Sequence, residues 1–84
     1  MKYTVTSTTL ADEQLAKIWI YASDRQTVTK AFDQIEACLK NDAHLQGRSH
    51  PSGWRVMVEP PLIVSFRVSE DDRLVKVLSI DYRP

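Results

Sequence analysis

The chain has 84 residues, of which 43% are hydrophobic and 26% are charged, and its 11 basic residues balance 11 acidic ones. This length has room for a single domain over residues 1–84, and the composition excludes a disordered chain, a collagen-like chain and a disulfide scaffold. The net charge of zero argues against a protein that holds nucleic acid through an overall excess of positive charge, so any such contact needs a local basic patch.

One cysteine and short apolar runs predict a cytoplasmic protein with no membrane partner. Cys38 cannot form a disulfide within the chain, which is typical of a reducing compartment. No basic segment is followed by an apolar stretch and a small-residue cleavage site, so we expect no secretory signal. The apolar runs are only a few residues long, whereas a membrane span needs roughly 20.

The first part of the chain predicts a strand and a helix. Residues 2–6 are rich in β-branched and aromatic side chains that alternate with polar ones, which is typical of a short strand. Thr9, followed by Asp12 and Glu13, has the features of a helix cap with acidic residues in the first turn. The apolar residues of this segment fall roughly on one helix face: Leu10, Leu15, Ile18, Trp19 and Ala22.

A second amphipathic helix follows Ser23 and Asp24, which predict a break and a second helix cap. Its apolar residues recur at intervals of three and four: Val28, Ala31, Phe32, Ile35, Cys38 and Leu39. Charged residues occupy the other side, and the pattern ends at Asn41 and Asp42. Two adjacent amphipathic helices with a short connection are expected to pack as an antiparallel hairpin.

Three strands are predicted after a polar loop over residues 43–53. In the first, Trp54, Val56 and Val58 alternate with polar or less apolar neighbours and are expected to face the core. Pro60 and Pro61 interrupt the pattern because neither can donate to a ladder. Residues 62–68 predict the next strand, residues 69–72 an acidic turn, and residues 74–82 a last strand whose buried face the pattern leaves open.

The predicted order of elements is therefore β-α-α-β-β-β. This is an α+β fold with a mainly antiparallel sheet and an N-terminal helical hairpin packed on one face of it. We expect the opposite face of the sheet to carry the function.

Several stretches, in this order, resemble the RelE/ParE toxin superfamily. Residues 62–71, LIVSFRVSED, are similar to the family's central hairpin, in which an apolar strand ends in an aromatic residue, Arg and Val before an acidic turn. Residues 11–21 resemble its opening helix, and residues 35–39, IEACL, resemble its second helix. Gly47-Arg48 and Gly53-Trp54-Arg55 are similar to its loop and the start of its second strand. The resemblance covers nearly the whole chain through many short matches.

The resemblance implies the toxin of a type II toxin–antitoxin module, a growth inhibitor with two alternative activities. RelE-like members are ribosome-dependent endoribonucleases, or mRNA interferases, which need no metal or other cofactor, and this is the activity that we expect first. ParE-like members are not enzymes and inhibit DNA gyrase by binding it. A third alternative is a member that has lost toxicity and only binds its antitoxin. The implied partner is an antitoxin protein, docked by strand addition or as a helix in an apolar groove.

Cleavage of RNA by its own 2′-hydroxyl needs a base, an acid and cations that stabilise the phosphorane charge. The resemblance implies that these groups come from the open sheet face and the C-terminal tail. The candidate catalytic residues are Arg55, Arg67, Asp81, Tyr82 and Arg83. The candidate substrate-binding residues are Arg48, His50 and Trp54. Ordinary solvent-exposed positions on strands and loops, and for Trp54 an ordinary core position, explain these residue types as well.

One position departs from the nuclease pattern. Ile63 stands where RelE-like nucleases carry a catalytic arginine early in the third strand. This departure and the zero net charge favour the gyrase-binding alternative. Cys38, His44 and His50 lack the spacing of zinc ligands, so no metal site is expected.

Overall fold

The computed structural model describes residues 2–43, 47–49 and 53–84, with the backbone alone for residues 48 and 49. Two helices and five strands are formed by these residues. In chain order they are β1 (Thr4–Ser7), α1 (Thr9–Tyr21), α2 (Arg25–Asp42), β2 (Arg48–Ser49), β3 (Arg55–Glu59), β4 (Leu62–Ser69) and β5 (Leu74–Tyr82). No helix within the described residues is both long enough and apolar enough to cross a membrane.

The strands form one mixed sheet in the order β1-β5-β4-β3-β2. β2, β3, β4 and β5 pair antiparallel, whereas β1 pairs parallel to β5 with Thr4 opposite Leu74. The α+β class is as predicted, but the parallel pair and the two-residue β2 were not. A period-two pattern describes which face of a strand is buried and is the same for parallel and antiparallel neighbours, so it carried no information on the direction of β1.

Side chains cap both helices and fix the connection between them. The Thr8 hydroxyl accepts a hydrogen bond from the Ala11 amide at 3.1 Å, and the Asp24 carboxylate accepts one from the Thr27 amide at 3.1 Å. The predicted cap of α1 was thus one residue too late. The Arg25 guanidinium donates to the carbonyls of Trp19 and Ile20 at 3.0 and 3.2 Å and lies 4.6 Å from the centre of the Trp19 ring. Arg25 therefore satisfies carbonyls that the end of α1 leaves without helical partners.

The core lies between the helices and one face of the sheet. Phe66, Leu62 and Val64 of β4 are completely buried, and Ile35 and Leu39 of α2 pack in the same cluster. This apolar burial is the main term that stabilises so small a domain.

The face assignment of β3 is the reverse of the predicted one. Met57 is 7% exposed and lies opposite Val64, whereas Val58 is 61% exposed and lies opposite Ile63. Residues directly opposite in an antiparallel pair point to the same face, so the position of Val64 in the core requires Met57 to point inward.

A β-bulge resolves the ambiguity of the last strand. Ser65 lies opposite Ser79, but Phe66 lies opposite Val77, so Leu78 has no partner in β4. The extra residue changes the alternation, and for this reason Val77 and Ile80 can both be buried although they are an odd number of residues apart. The Ile80 amide, next to the bulge, donates to the Gln14 side-chain carbonyl of α1 at 2.8 Å.

A buried tyrosine connects the start of the chain to the β4–β5 turn. The Tyr3 hydroxyl donates to the Glu70 carboxylate at 3.0 Å and accepts from an Arg73 Nη1 at 3.4 Å. Burial, followed by the hydrogen bond and negative charge of Glu70, raises the pKa of Tyr3 above its usual value, and Arg73 partly offsets this. The Thr4 amide donates to the Arg73 carbonyl at 2.8 Å, so the same contacts hold β1 beside β5.

Candidate functional site

The sheet face turned away from the helices carries a shallow cavity of about 320 Å³. We call this face the open face. Three apolar side chains, Val56, Ile63 and Leu78, supply much of the lining. The other lining residues are Trp54, Ser65, Ser79 and Asp81. Leu78 lines the cavity because the bulge gives β5 two successive residues, 78 and 79, that both border it.

Two serines meet in the middle of the open face. Ser65 and Ser79 lie opposite each other on β4 and β5, and their hydroxyl groups are hydrogen-bonded to one another. Each hydroxyl can donate one hydrogen bond and accept others, so the pair can still accept from a ligand. The centre of the face therefore offers uncharged polar groups within an apolar surface.

The two ends of the open face differ in charge. Arg67 lies opposite Lys76 at one end, and Asp81 lies opposite Ile63 at the other. The side chains of Arg67, Lys76 and Asp81 are all exposed. The two ends are four positions apart along β4, from residue 63 to residue 67, which separates them by roughly 13 Å.

A glycine with a positive φ lies beside the basic end. Gly53 has a positive φ of 91°, and a Cβ built on it would lie 3.4 Å from Nη1 of Arg67. A positive φ is costly for residues that carry a Cβ. Glycine is therefore favoured at position 53 by its backbone conformation, since a Cβ there would meet Arg67 only at an ordinary van der Waals distance.

The predicted site residues are divided between the two faces. Arg67 and Asp81 are on the open face, at its two ends. Trp54 and Asp81 line its cavity. Arg55 lies opposite Phe66, so it belongs to the helix-facing side, where its Nη2 donates to the Gly47 carbonyl at 3.4 Å.

Tyr82 is also on the helix-facing side. It lies opposite the buried Leu62 and packs against the core. Arg83 follows the end of β5 and is exposed, and its amide donates to the Pro61 carbonyl at 2.7 Å. The backbone of Arg48 pairs with Val56 in β2, but the Arg48 side chain and His50 lie outside the described residues.

Several open-face residues were not among the predicted site residues. Ser65 and Ser79 interrupt otherwise apolar strands, and Lys76 follows a buried valine, which are the sequence signals that could have pointed to them. Leu78 could not be assigned because the bulge that exposes it depends on pairing with β4. Among the described residues, no group of three or more His, Cys, Asp or Glu side chains is arranged to hold a metal ion.

A second surface lies on the helical layer. A cavity of about 400 Å³ between α1 and α2 is lined by Asp12, Leu15, Ala16, Trp19, Val28, Thr29, Phe32 and Asp33. We call it the helical groove. Trp19, which lines the groove, is itself 44% exposed. Exposed apolar side chains beside a concave surface are typical of a protein-binding site.

The chain matches no protein-family model and no curated protein by sequence, whereas its fold is similar to several solved structures. The toxin–antitoxin complex RelBE2 from Mycobacterium tuberculosis matches with a TM-score of 0.82 and 19% identity over 99% of this chain and all of the matched one. The chromosomal ParDE system from P. aeruginosa matches with a TM-score of 0.73 and 20% identity, covering 99% and 98% of the two chains. The chain has the RelE/ParE fold.

The isolated E. coli RelE toxin is also similar in structure, with a TM-score of 0.63 and 14% identity over 98% of this chain and 85% of that one. Both RelE and ParE names thus occur among structures that share the RelE/ParE fold. The superfamily predicted from short sequence matches agrees with the fold. The similarity does not separate the two activities, because a fold does not determine the chemistry of its sites.

Proposed function

We propose that this RelE/ParE-fold protein is the cytoplasmic toxin of a type II toxin–antitoxin module and that it acts by binding its target without cutting RNA. DNA gyrase is the target that the resemblance to ParE implies. The observation that carries the proposal is the composition of the open face, whose centre is an apolar cavity with two serines.

RNA cleavage needs a base, an acid and cations close to one phosphate. Two of the candidate groups, Arg55 and Tyr82, belong to the helix-facing side of the sheet, whereas Arg67 is on the open face. They could contact the same phosphate as Arg67 only after a change of strand register. Ile63, opposite Asp81, contributes no charge at the position where RelE-like nucleases carry arginine. Both observations support a binding surface over the endoribonuclease site that was expected first from the sequence.

The helical groove supports the antitoxin part of the proposal. Its apolar lining, with Leu15, Val28 and Phe32, suits the apolar side of a helix or an extended segment. Asp12 and Asp33 border the same cavity, so basic residues in that segment would be favoured. Because the groove is on the helical layer, an antitoxin there would leave the open face accessible unless a further segment of it covered that face.

The direct test compares gyrase inhibition with RNA cleavage. The purified chain is added to gyrase supercoiling reactions and, separately, to ribosomes translating a defined mRNA. We expect loss of supercoiling with accumulation of cleaved DNA complexes, and intact mRNA. Ribosome-dependent cleavage of the mRNA with normal supercoiling would contradict the proposal. Unimpaired growth on expression without an antitoxin would indicate a member that only binds its antitoxin.

One observation favours RNA cleavage as a second candidate function. Arg67 and Lys76 lie opposite each other on the open face and together form a local basic patch. Two adjacent cations could hold a phosphate group even in a protein of zero net charge. If this is the function, Arg67→Ala and Lys76→Ala should each reduce mRNA cleavage in the same ribosome assay, while Asp81→Asn should reduce it only if that carboxylate transfers a proton.

A further inference from the structure

Along the direction of the strands, the open face has positive charge at one end, an apolar centre and a negative charge at the other side of that centre. Arg67 and Lys76 form the basic end, the cavity occupies the middle, and Asp81, which lines the cavity, forms the acidic end. Arg83 is exposed two residues beyond Asp81 and does not line the cavity. Such a surface is complementary to a ligand that carries an acidic group, an apolar group and a basic group in that order.

We propose that the open-face cavity binds a segment of a partner protein with the pattern acidic–apolar–basic. The apolar side chain enters the cavity, the acidic side chain lies against Arg67 and Lys76, and the basic side chain lies against Asp81. This inference rests on the proposed function, since it describes how the open face recognises the toxin's target.

The mixed charge of the face favours a protein over a nucleic acid. A nucleic acid carries a negative charge at every nucleotide, so a strand long enough to reach from the basic end across the cavity brings phosphate towards Asp81. A polypeptide can place opposite charges at the two ends of the face. The apolar lining from Val56, Ile63 and Leu78 also matches an aliphatic or aromatic side chain of a protein.

The spacing of the face sets the spacing of the segment. The two ends are four positions apart along β4, or roughly 13 Å. In an extended peptide, residues i, i+2 and i+4 point to the same side and cover the same length. The expected segment is therefore Glu-X-Leu-X-Arg, or Arg-X-Leu-X-Glu if the segment lies across the face in the opposite chain direction.

Synthetic peptides test this pattern on the full chain. The probes are Glu-Thr-Leu-Thr-Arg, the same peptide with two acidic ends, the same with two basic ends, and a version with serine in place of leucine. Binding is followed by Trp54 fluorescence in a Trp19→Phe variant, because Trp54 lines the cavity and Trp19 lies in the helical groove. Amide NMR shifts of the wild-type chain give the same measurement if that variant does not fold.

We expect the peptide with one acidic and one basic end to bind roughly three to ten times more tightly than the peptide with two acidic ends or the one with two basic ends. Each of the latter two places one end next to a protein charge of the same sign. The serine peptide should bind more weakly than the leucine one. Asp81→Lys should transfer the preference to the peptide with two acidic ends. Asp42→Lys is the matched control, because it makes the same charge change at the exposed end of α2, on the helical layer across the sheet, and should leave the preference unchanged.

Equal binding of all four peptides, or no response at millimolar concentration, would overturn the inference. So would tighter binding of a short single-stranded RNA at the same cavity. The outcomes separate this inference from the proposed function. If gyrase is inhibited by the wild type and by Asp81→Lys alike, only this inference fails. If the peptides discriminate as expected but gyrase and growth are unaffected, only the proposed function fails.

Discussion

The reversed face of β3 can be tested with two neighbouring alanine substitutions. Met57 is 7% exposed and packs in the core, whereas Val58 is 61% exposed on the open face. Removing a buried methionine side chain costs about 2–5 kcal/mol, and Met57 lies towards the edge of the sheet, so we expect a loss near 2 kcal/mol for Met57→Ala. In a domain of this size, that corresponds to a fall in Tm of roughly 8–16 °C. Val58→Ala should change the free energy of unfolding by less than about 0.5 kcal/mol.

The measurement is urea unfolding at equilibrium, with thermal unfolding as a second probe. Both variants should keep the wild-type m-value, so that the shift in the urea midpoint reports stability alone. A one-residue slip of β3 would exchange the faces of these two side chains. A larger loss for Val58→Ala than for Met57→Ala would therefore refute the register described above.

Three further predictions concern pH and partner binding. Because the pKa of Tyr3 is raised by burial and the neighbouring carboxylate, its contribution to stability is complete below pH 10.0 and is lost as the pH rises through the raised value. Urea midpoints should therefore fall more steeply above pH 10.0 in the wild type than in Tyr3→Phe, and a parallel decline would contradict this. The side-chain hydrogen bond from Thr27 lowers the pKa of Asp24, so this contribution is present above pH 3.8 and is lost as the pH falls through the lowered value. The stability gap between the wild type and Asp24→Ala should narrow in that acidic range, and a constant gap would argue against the cap. Asp33→Lys should weaken antitoxin binding roughly three- to tenfold without changing Tm, because Asp33 borders the helical groove, and calorimetric titration can measure this. Asp42→Lys, the same charge change at the end of α2 and outside the groove lining, should bind normally.

Much of the local structure was predicted correctly from the sequence. The α2 pattern and its Asp24 cap were predicted where the structure has them, and the last strand spans residues 74–82 as expected. These features depend on contacts between residues a few positions apart, which hydrophobic periodicity and capping residues report directly. The superfamily resemblance was likewise carried by short stretches, and the shared fold agrees with it.

The candidate site was decided by contacts between distant residues. Arg55 and Arg67 have similar sequence surroundings, each following an aromatic residue and preceding a valine, yet they lie on opposite faces of the sheet. Pairing of β3 with β4 puts Arg55 opposite the buried Phe66. The bulge in β5 brings Leu78 to the cavity on the open face. The sequence alone therefore determined both helices and four of the five strands. The register between the strands decided which charged groups share a face, because a shift of one residue moves a side chain to the other side.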